Sequence, residues 1–317
     1  MFFPLSVKDV IKETPEAVTL VFAVPEDLQE TFSYKQGQYL TLRFHLDGQE
    51  VRRSYSMCSS PLEPDLAVTV KRVDGGRVST YIHEQVEAGQ TIEVMPPEGR
   101  FFTELDPEQR KTYYLFGAGS GITPLMSILK TVLETEPLST VFLLYGNRRK
   151  ASIIFHQQLE ELQQRYAGQL VVEHLLSRPH REKIKGLAGL FKKGAISWEG
   201  RVGRIDHAEI GRFLKEHPLR SEEAEYFICG PGSMIDNTRA ALLGQGIVDK
   251  RIHVEYFLSG TPNTQASQNG ASGSPAAGNK VLVHLDGQKI ELEVPEEKTI
   301  LDTLLDEGYD PPYSCTA

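Results

Sequence analysis

TYYLFGAGSGITPLMSILK, residues 112–130, decides how the rest of this 317-residue chain is read. An apolar run over Tyr113–Phe116 breaks at Gly117, Gly119 and Gly121, and the apolar positions that follow, Ile122, Leu125, Met126 and Leu129, keep helical spacing. A strand that turns into a helix at glycines offers backbone N–H groups and the positive end of a helix dipole to a pyrophosphate. The spacing departs from G-x-G-x-x-G, because Ile122 stands where the last glycine would be. A tight strand-to-helix turn with no ligand is the competing reading.

Downstream the same texture repeats. TVFLLYGNR (140–148) leads into SIIFHQQLEELQQRY (152–166), and LVVEHLLSR (170–178), AEYFICGPG (224–232) and IHVEYF (252–257) supply further strands. Such alternation predicts a parallel sheet with helices on both faces. Where an NAD-type site places an acid for the ribose hydroxyls, this chain has Asn147, Arg148 and Arg149, and the next strand ends in Ser177 and Arg178. A hydroxyl and a bidentate guanidinium suit a 2′-phosphate, which favours NADPH over NADH. Arg149 reads as solvent-facing, and plain solvation at a strand end is the alternative for Arg148 and Arg178.

Upstream, residues 1 to about 102 carry short β-rich runs between turn signals. These are AVTLVFAV (17–24), YLTLRFHL (39–46), an Asp47–Gly48 hairpin turn, VRRSYSMCS (51–59), LAVTVKRV (66–73) and TIEVMPP (91–97). Strands at this spacing predict a barrel, interrupted by one helix over 77–89 that closes at Gly89. A flavin needs a cation for its phosphates, a flat aromatic face for its ring and a small hydrogen-bonding group near N5. Arg53, Tyr55 and Ser56 offer one each. GGRVS (75–79) adds backbone amides and Ser79 at a helix start, a second phosphate cradle. Alone, Tyr55 would read as barrel surface, and Cys58 reads as barrel core.

Composition narrows the partners. A net charge of −9 and a pI near 5.6 leave no basic surplus to displace phosphate counterions, which argues against a nucleic-acid partner. Phe2 and Phe3 are followed at once by Pro4 and then Lys8, so the start is neither a secretory signal nor a membrane span, and no membrane partner is expected. Cys58, Cys229 and Cys315 lie far apart and are odd in number, which gives no disulfide framework and fits the cytoplasm.

The stretch 259–279 has no charge and no large apolar side chain, and it reads as a flexible tether spanning roughly 25 Å by random-coil scaling. Beyond it, KVLVHLDGQKIELEVP (280–295) reads as a hairpin about Asp286–Gly287, and TILDTLLDEG (299–308) as a short helix closed by Gly308. Residues 280–317 hold nine acids and three lysines, a net −6 of the chain's −9. PPYSCTA (311–317) then places Cys315 after an acidic helix.

The succession R-S-Y-S (53–56), G-G-R-V-S (75–79), G-A-G-S-G-I-T-P (117–124), Y-G-N-R (145–148), L-S-R (176–178), C-G-P-G-S-M (229–234) and H-V-E-Y-F (253–257) resembles the ferredoxin–NADP reductase superfamily. With the tether and the last module, it is similar to the three-part reductases that feed multicomponent oxygenases. The resemblance implies an antiparallel FAD-binding β-barrel (1–104), a parallel-sheet α/β NADP-binding domain (105–258), a linker (259–279), and a truncated ferredoxin-like β-grasp segment, the N-terminal half of a plant-type 2Fe–2S domain (280–317). It implies that Arg53, Ser54, Tyr55 and Ser56 hold FAD, with Gly76, Val78 and Ser79 at its pyrophosphate. FMN in its place stays open. Gly119, Gly121, Thr123, Arg148, Ser177, Arg178, Gly230 and Pro231 would hold NADPH, with Thr123 near both cofactors. Ser56, Cys229 and Glu255 would border hydride transfer, Cys229 lining the nicotinamide pocket, although a lone strand cysteine is by default a core residue.

Cys315 would be the first cluster ligand. The plant-type pattern C-x4-C-x2-C with a distant fourth Cys is not completed by Ala317, so the natural reading frame is expected to continue. A 2Fe–2S cluster is then expected only in the longer chain. The implied activity passes electrons from NADPH through FAD, and in the longer chain through the cluster, to a protein acceptor that is an oxygenase component. A reductase for a separate ferredoxin, haem or ferric acceptor, and a non-catalytic flavin-binding regulatory module, are the alternatives.

Overall fold

The computed structural model of the chain describes residues 1–180, 196–257, 279–285, 288–295, 298 and 300–307, in two compact units, Met1–Phe257 and Leu258–Ala317. The first opens with six antiparallel strands: β1 (Phe3–Thr14), β2 (Ala17–Ala23), β3 (Tyr39–Leu46), β4 (Gln49–Ser56), β5 (Leu66–Lys71) and β6 (Thr91–Val94), in the order β4-β3-β6-β1-β2-β5. The two edges of this sheet meet: Met57 bridges Val68, and the Cys58 N–H donates to the Ala67 carbonyl at 2.9 Å. A barrel-like wall results, filled by Leu5, Leu20, Phe22, Leu40, Leu42 and Val68.

β2 is buried on both faces, because Val18, Leu20 and Phe22 point into the barrel while Ala17 and Val21 join a second core outside it. That double burial is why AVTLVFAV lacks the usual polar alternation. Asp47 and Gly48 both take positive φ, 52° and 75°, as a two-residue hairpin turn requires. The helix α1 (Arg77–Gln85) stops four residues short of Gly89, the closing position that its sequence predicts. Val86 is extended and drawn into the barrel core, and Gly89 (φ 91°) instead makes the turn that lets its N–H donate to the Val7 carbonyl at 2.8 Å.

From residue 111 the chain builds six parallel strands, β7 (Lys111–Ala118), β8 (Thr140–Asn147), β9 (Leu170–Leu176), β10 (Arg201–Val202), β11 (Glu223–Gly230) and β12 (Ile252–Tyr256), ordered β10-β9-β8-β7-β11-β12. Helices α2 (Ile122–Thr135) and α3 (His156–Arg165) cover one face, and α4 (His207–Glu216) and α5 (Gly232–Gly244) the other. The strand order reverses between β7 and β11, and α/β sheets place ligands beyond the strand ends at such a point.

In the second unit β13 (Asn279–Leu285) and β14 (Gln288–Val294) pair antiparallel, and α6 (Ile300–Asp306) contributes Leu304 to a small core with Ile290, Leu292 and Val294. The Asp286–Gly287 turn, Gly308, Cys315 and all of the tether except Asn279 lie outside the described residues. Among the described residues no helix is long and apolar enough to cross a membrane.

Candidate cofactor cleft

Register places the central residues. Gly117 on β7, Cys229 on β11 and Glu255 on β12 lie side by side at the strand ends where the order reverses. The two turns leaving β7 and β11 pack backbone against backbone: a Cβ at Gly121 would lie 2.1 Å from the Cys229 carbonyl oxygen and 2.7 Å from the Gly230 nitrogen. Gly119 holds φ 58°, which glycine adopts freely. The turn is pinned by the Tyr145 hydroxyl, which donates to the Gly119 carbonyl at 2.9 Å, and by Thr123 Oγ1, which donates to the Ser120 carbonyl at 3.0 Å. Pro231, at φ −59° and ψ 138°, is the N-cap of α5.

Cys229 is fully buried, and burial, reinforced by Glu255, pushes its thiol well above the ordinary value, so it stands as an uncharged wall. Glu255 has no hydrogen-bond partner among the described residues, and burial lifts its carboxyl to about 7. Across from it Tyr39, on β3 and in register with Ser56 on β4, has its phenol raised by burial and then by Glu98 and Glu255. Tyr39 is thus paired in register with Ser56, 5% exposed, and close enough to Glu255 to feel its charge, a position that sequence reading misses because Tyr39 lies outside every motif.

On β4, Arg53 donates to the Arg52 carbonyl at 2.7 Å and has no carboxylate partner among the described residues, whereas Arg52 pairs with Glu50 and Arg43 with Glu93. Ser54 shares a 3.0 Å hydrogen bond with Thr41 Oγ1, and Tyr55 packs half-buried on the barrel core. At the start of α1 a Cβ on Gly76 would meet Ser79 Oγ at 2.6 Å. Ser79 Oγ accepts from Val73 N at 3.1 Å and donates to the Gly76 carbonyl at 3.3 Å, so this hydroxyl shapes the loop. The Val78 side chain faces the barrel core, leaving the first-turn backbone amides as the loop's donors.

A second cationic group gathers at the ends of β8, β9 and β10. Ser177 N donates to the Asn147 carbonyl (2.9 Å), Arg178 N to the Arg148 carbonyl (2.8 Å) and Gly203 N to the Leu176 carbonyl (3.0 Å). Arg148, Arg178 and Arg204 therefore follow three adjacent strands, and among the described residues none has a carboxylate partner. Among the described residues the buried Asn147 Nδ2 beside them makes no hydrogen bond of normal geometry. Arg149 is exposed. Arg204 escapes a motif-based reading, although the recurring signal, a cation just past a strand end, extends to it.

The cluster of Glu173, Glu216 and His217 has the spacing of a metal site, but Arg201 donates to both carboxylates and to Glu209 at 2.7 Å. It is an ion-pair network that fixes β10 to α4.

Cations with no carboxylate partner among the described residues, on the barrel and beyond β8–β10, and close-packed glycines at 76 and 121 that leave no room for a Cβ suit two phosphate-bearing cofactors. Comparison with known proteins agrees. An oxidoreductase FAD-binding domain matches residues 4–103 and an oxidoreductase NAD-binding domain residues 115–240. Over 99% of this chain and 83% of the relative, the sequence is 38% identical to a subunit of the 1,2-phenylacetyl-CoA epoxidase of Escherichia coli K12. The chain belongs to the ferredoxin–NADP reductase family.

This reductase is also 38% identical to the ferredoxin reductase component of 3-ketosteroid-9-alpha-monooxygenase from Rhodococcus rhodochrous, over 98% of the chain and 82% of the relative. Among solved structures, a ferredoxin NADP+ reductase from Neisseria gonorrhoeae with bound FAD and NADP shares its fold at TM-score 0.64 and 21% identity, covering 80% of this chain and 98% of that one. An Amycolatopsis cytochrome P450 reductase does so at TM-score 0.64 and 23% identity, covering 81% and 70%. The reductase thus carries an FAD-binding and an NAD(P)-binding oxidoreductase domain, and its relatives are reductase components of oxygenases.

Proposed function

We propose that this reductase takes electrons from NADPH through FAD and delivers them to a partner oxygenase, with the phenylacetyl-CoA epoxidase system among the candidates. The observation that carries this reading is the two cationic groups that lack a carboxylate partner among the described residues: Arg53 on β4, the strand of Ser56, and Arg148, Arg178 and Arg204 just past β8, β9 and β10, in the sheet whose strand ends hold Cys229 and Glu255. Bound FAD would supply two-electron acceptance and one-electron release. The protein's share is to hold and exclude. Arg53 and the amides of the Gly76–Ser79 loop receive the flavin phosphates, and two cradles favour FAD over FMN. Tyr55 offers its ring to the flavin, and Ser54 and Ser56 line the same strand.

Gly119, Gly121 and Thr123 shape the turn that takes the nucleotide pyrophosphate, and Gly230 and Pro231 keep β11's exit close to it. Arg148, Ser177, Arg178 and Arg204 grip a 2′-phosphate, which selects NADPH over NADH. Cys229 gives a neutral wall for the nicotinamide, and Glu255, with its carboxyl near 7, can hold or release a proton close by. In this reading residues 1–104 and 105–258 are the two cofactor domains and 259–279 is a tether. The acidic module from 280 belongs to a 2Fe–2S domain whose first ligand is Cys315, and the protein works in the cytoplasm.

Anaerobic addition of NADPH to the flavin-loaded protein tests the reading. Loss of the flavin band near 450 nm within minutes is expected, and FAD, by mass, should be released on heating. A flavin that stays oxidised would leave only a binding module.

A further inference from the structure

α2 is buried at eleven of its fourteen positions, between the parallel sheet and the barrel. Polar groups in such a helix are costly unless bonded, yet it carries Ser127, Lys130 and Thr131 on one stripe. All three reach the barrel. Ser127 Oγ donates to the Ser59 carbonyl at 2.6 Å and accepts from Gly37 N at 3.4 Å. Thr131 Oγ1 shares a 3.0 Å hydrogen bond with Ser60 Oγ, and Lys130 Nζ meets Glu63 at 2.7 Å.

What these bonds join matters more than their number. Ser59 lies three residues past Ser56, the last residue of the strand proposed to face the flavin. Gly37 lies two residues before Tyr39, and it is so tightly seated, at φ 87°, that a Cβ would come 2.0 Å from the Phe101 carbonyl oxygen. Ser127 itself is one helical turn beyond Thr123, at the end of α2 that would receive the nucleotide. Ser127 is fully buried, and Ser59 is held in turn by Tyr34 Oη at 2.7 Å and by Ala67 N at 3.0 Å.

We propose that Ser127 is a positioning residue: its single hydroxyl bolts the flavin-side strand ends, at Ser59 and Gly37, to the nucleotide helix and so fixes the separation across which hydride passes. The proposal rests on the reductase reading above. Hydride transfer falls steeply with misplacement of the reacting groups, so loosening this bolt acts on the chemical step while leaving the phosphate grips intact.

Ser127→Ala is the test, read first on flavin-free protein. Hydrogen exchange over residues 37–39 and 57–60 should quicken about fivefold, with β1 and β2 unaffected. In the flavin-loaded variant, NADPH affinity should stay within about twofold. Bleaching at saturating NADPH should slow about tenfold, with a larger deuterium isotope effect. Thr131→Val, which keeps the shape and removes both the Ser60 bond and the 2.6 Å bond that Thr131 Oγ1 donates to the Ser127 carbonyl, should do the same more weakly, and it carries the test if Ser127→Ala does not fold. Glu136→Gln, in the buried network at the opposite end of the sheet, is the control for lost stability.

Unchanged exchange and an unchanged bleaching rate would overturn the proposal. So would equal slowing by Glu136→Gln at matched loss of thermal stability. If the wild-type flavin is not bleached at all, the reductase reading fails, and the exchange result alone decides whether Ser127 is the bolt.

Discussion

The two ends of the parallel sheet treat charge in opposite ways. At the end where strands begin, carboxylates are surrounded. Glu136 is fully buried yet accepts from Tyr113 Oη at 2.9 Å, Ser139 Oγ at 2.7 Å and the Gln109 amide. Glu225 takes Arg251 and His253, each at 2.8 Å, and although burial works to raise its carboxyl, these two hydrogen-bond partners hold it below the ordinary value. At the end where strands finish, Arg148, Arg178, Arg204 and Glu255 have no such partners among the described residues. A charge with satisfied neighbours is already spent on the fold, while one left open at a sheet's ligand end is available to something that binds.

Glu136→Ala should break the satisfied end most severely. It strands a tyrosine hydroxyl and a serine hydroxyl in the interior, and a loss of about 3 kcal/mol is expected by chemical denaturation. The NADPH-to-NADH preference should not move. If it does, the two ends are coupled and the contrast fails.

The open end should respond the other way. Arg178→Ala and Arg148→Ala should each raise the Michaelis constant for NADPH about 10- to 100-fold, the worth of a charge-assisted hydrogen bond, while sparing NADH and thermal stability. Arg204→Ala should behave alike, and Arg149→Ala should do nothing. Equal effects on both nucleotides would take the 2′-phosphate away from this cluster.

Much of this is legible without the fold. The glycine turn at 117–121 and the strands β7, β8 and β11 follow from apolar runs that end at glycine, a local signal. β1 does not read as a strand, although it is the longest described, because Pro4 and the charges at Lys8, Asp9 and Lys12 mask an inward alternation that Leu5 and Val7 keep fully and Phe3 and Val10 in part. β10 is two residues long and is held by the Arg201 ion pairs rather than by its own propensity. Arg53, Arg148 and Arg178 stand out by residue type at strand ends. Tyr39, Arg204 and Ser127 do not, since each matters through neighbours that topology alone brings to it.

Glu255 and Glu225, on adjacent strands, sharpen the comparison with the smallest effect. Glu255's carboxyl sits near 7 against an ordinary 4.5, so between those pH values the folded chain keeps a proton that the unfolded chain has released. Stability must then fall as pH rises through this window. Glu255→Gln removes that dependence: its melting temperature relative to wild type should climb by about 2–4 °C from pH 4.5 to pH 8, for each kcal/mol relieved. Glu225 is lowered instead, so its stabilisation is present above 4.5 and fades as pH falls below it. Glu225→Gln should therefore lose ground to wild type as pH rises towards 4.5 and hold level above it, where the Glu255→Gln slope is still climbing. Parallel slopes would mean that Glu255 has a partner in solution and that the open end of the sheet is closed there.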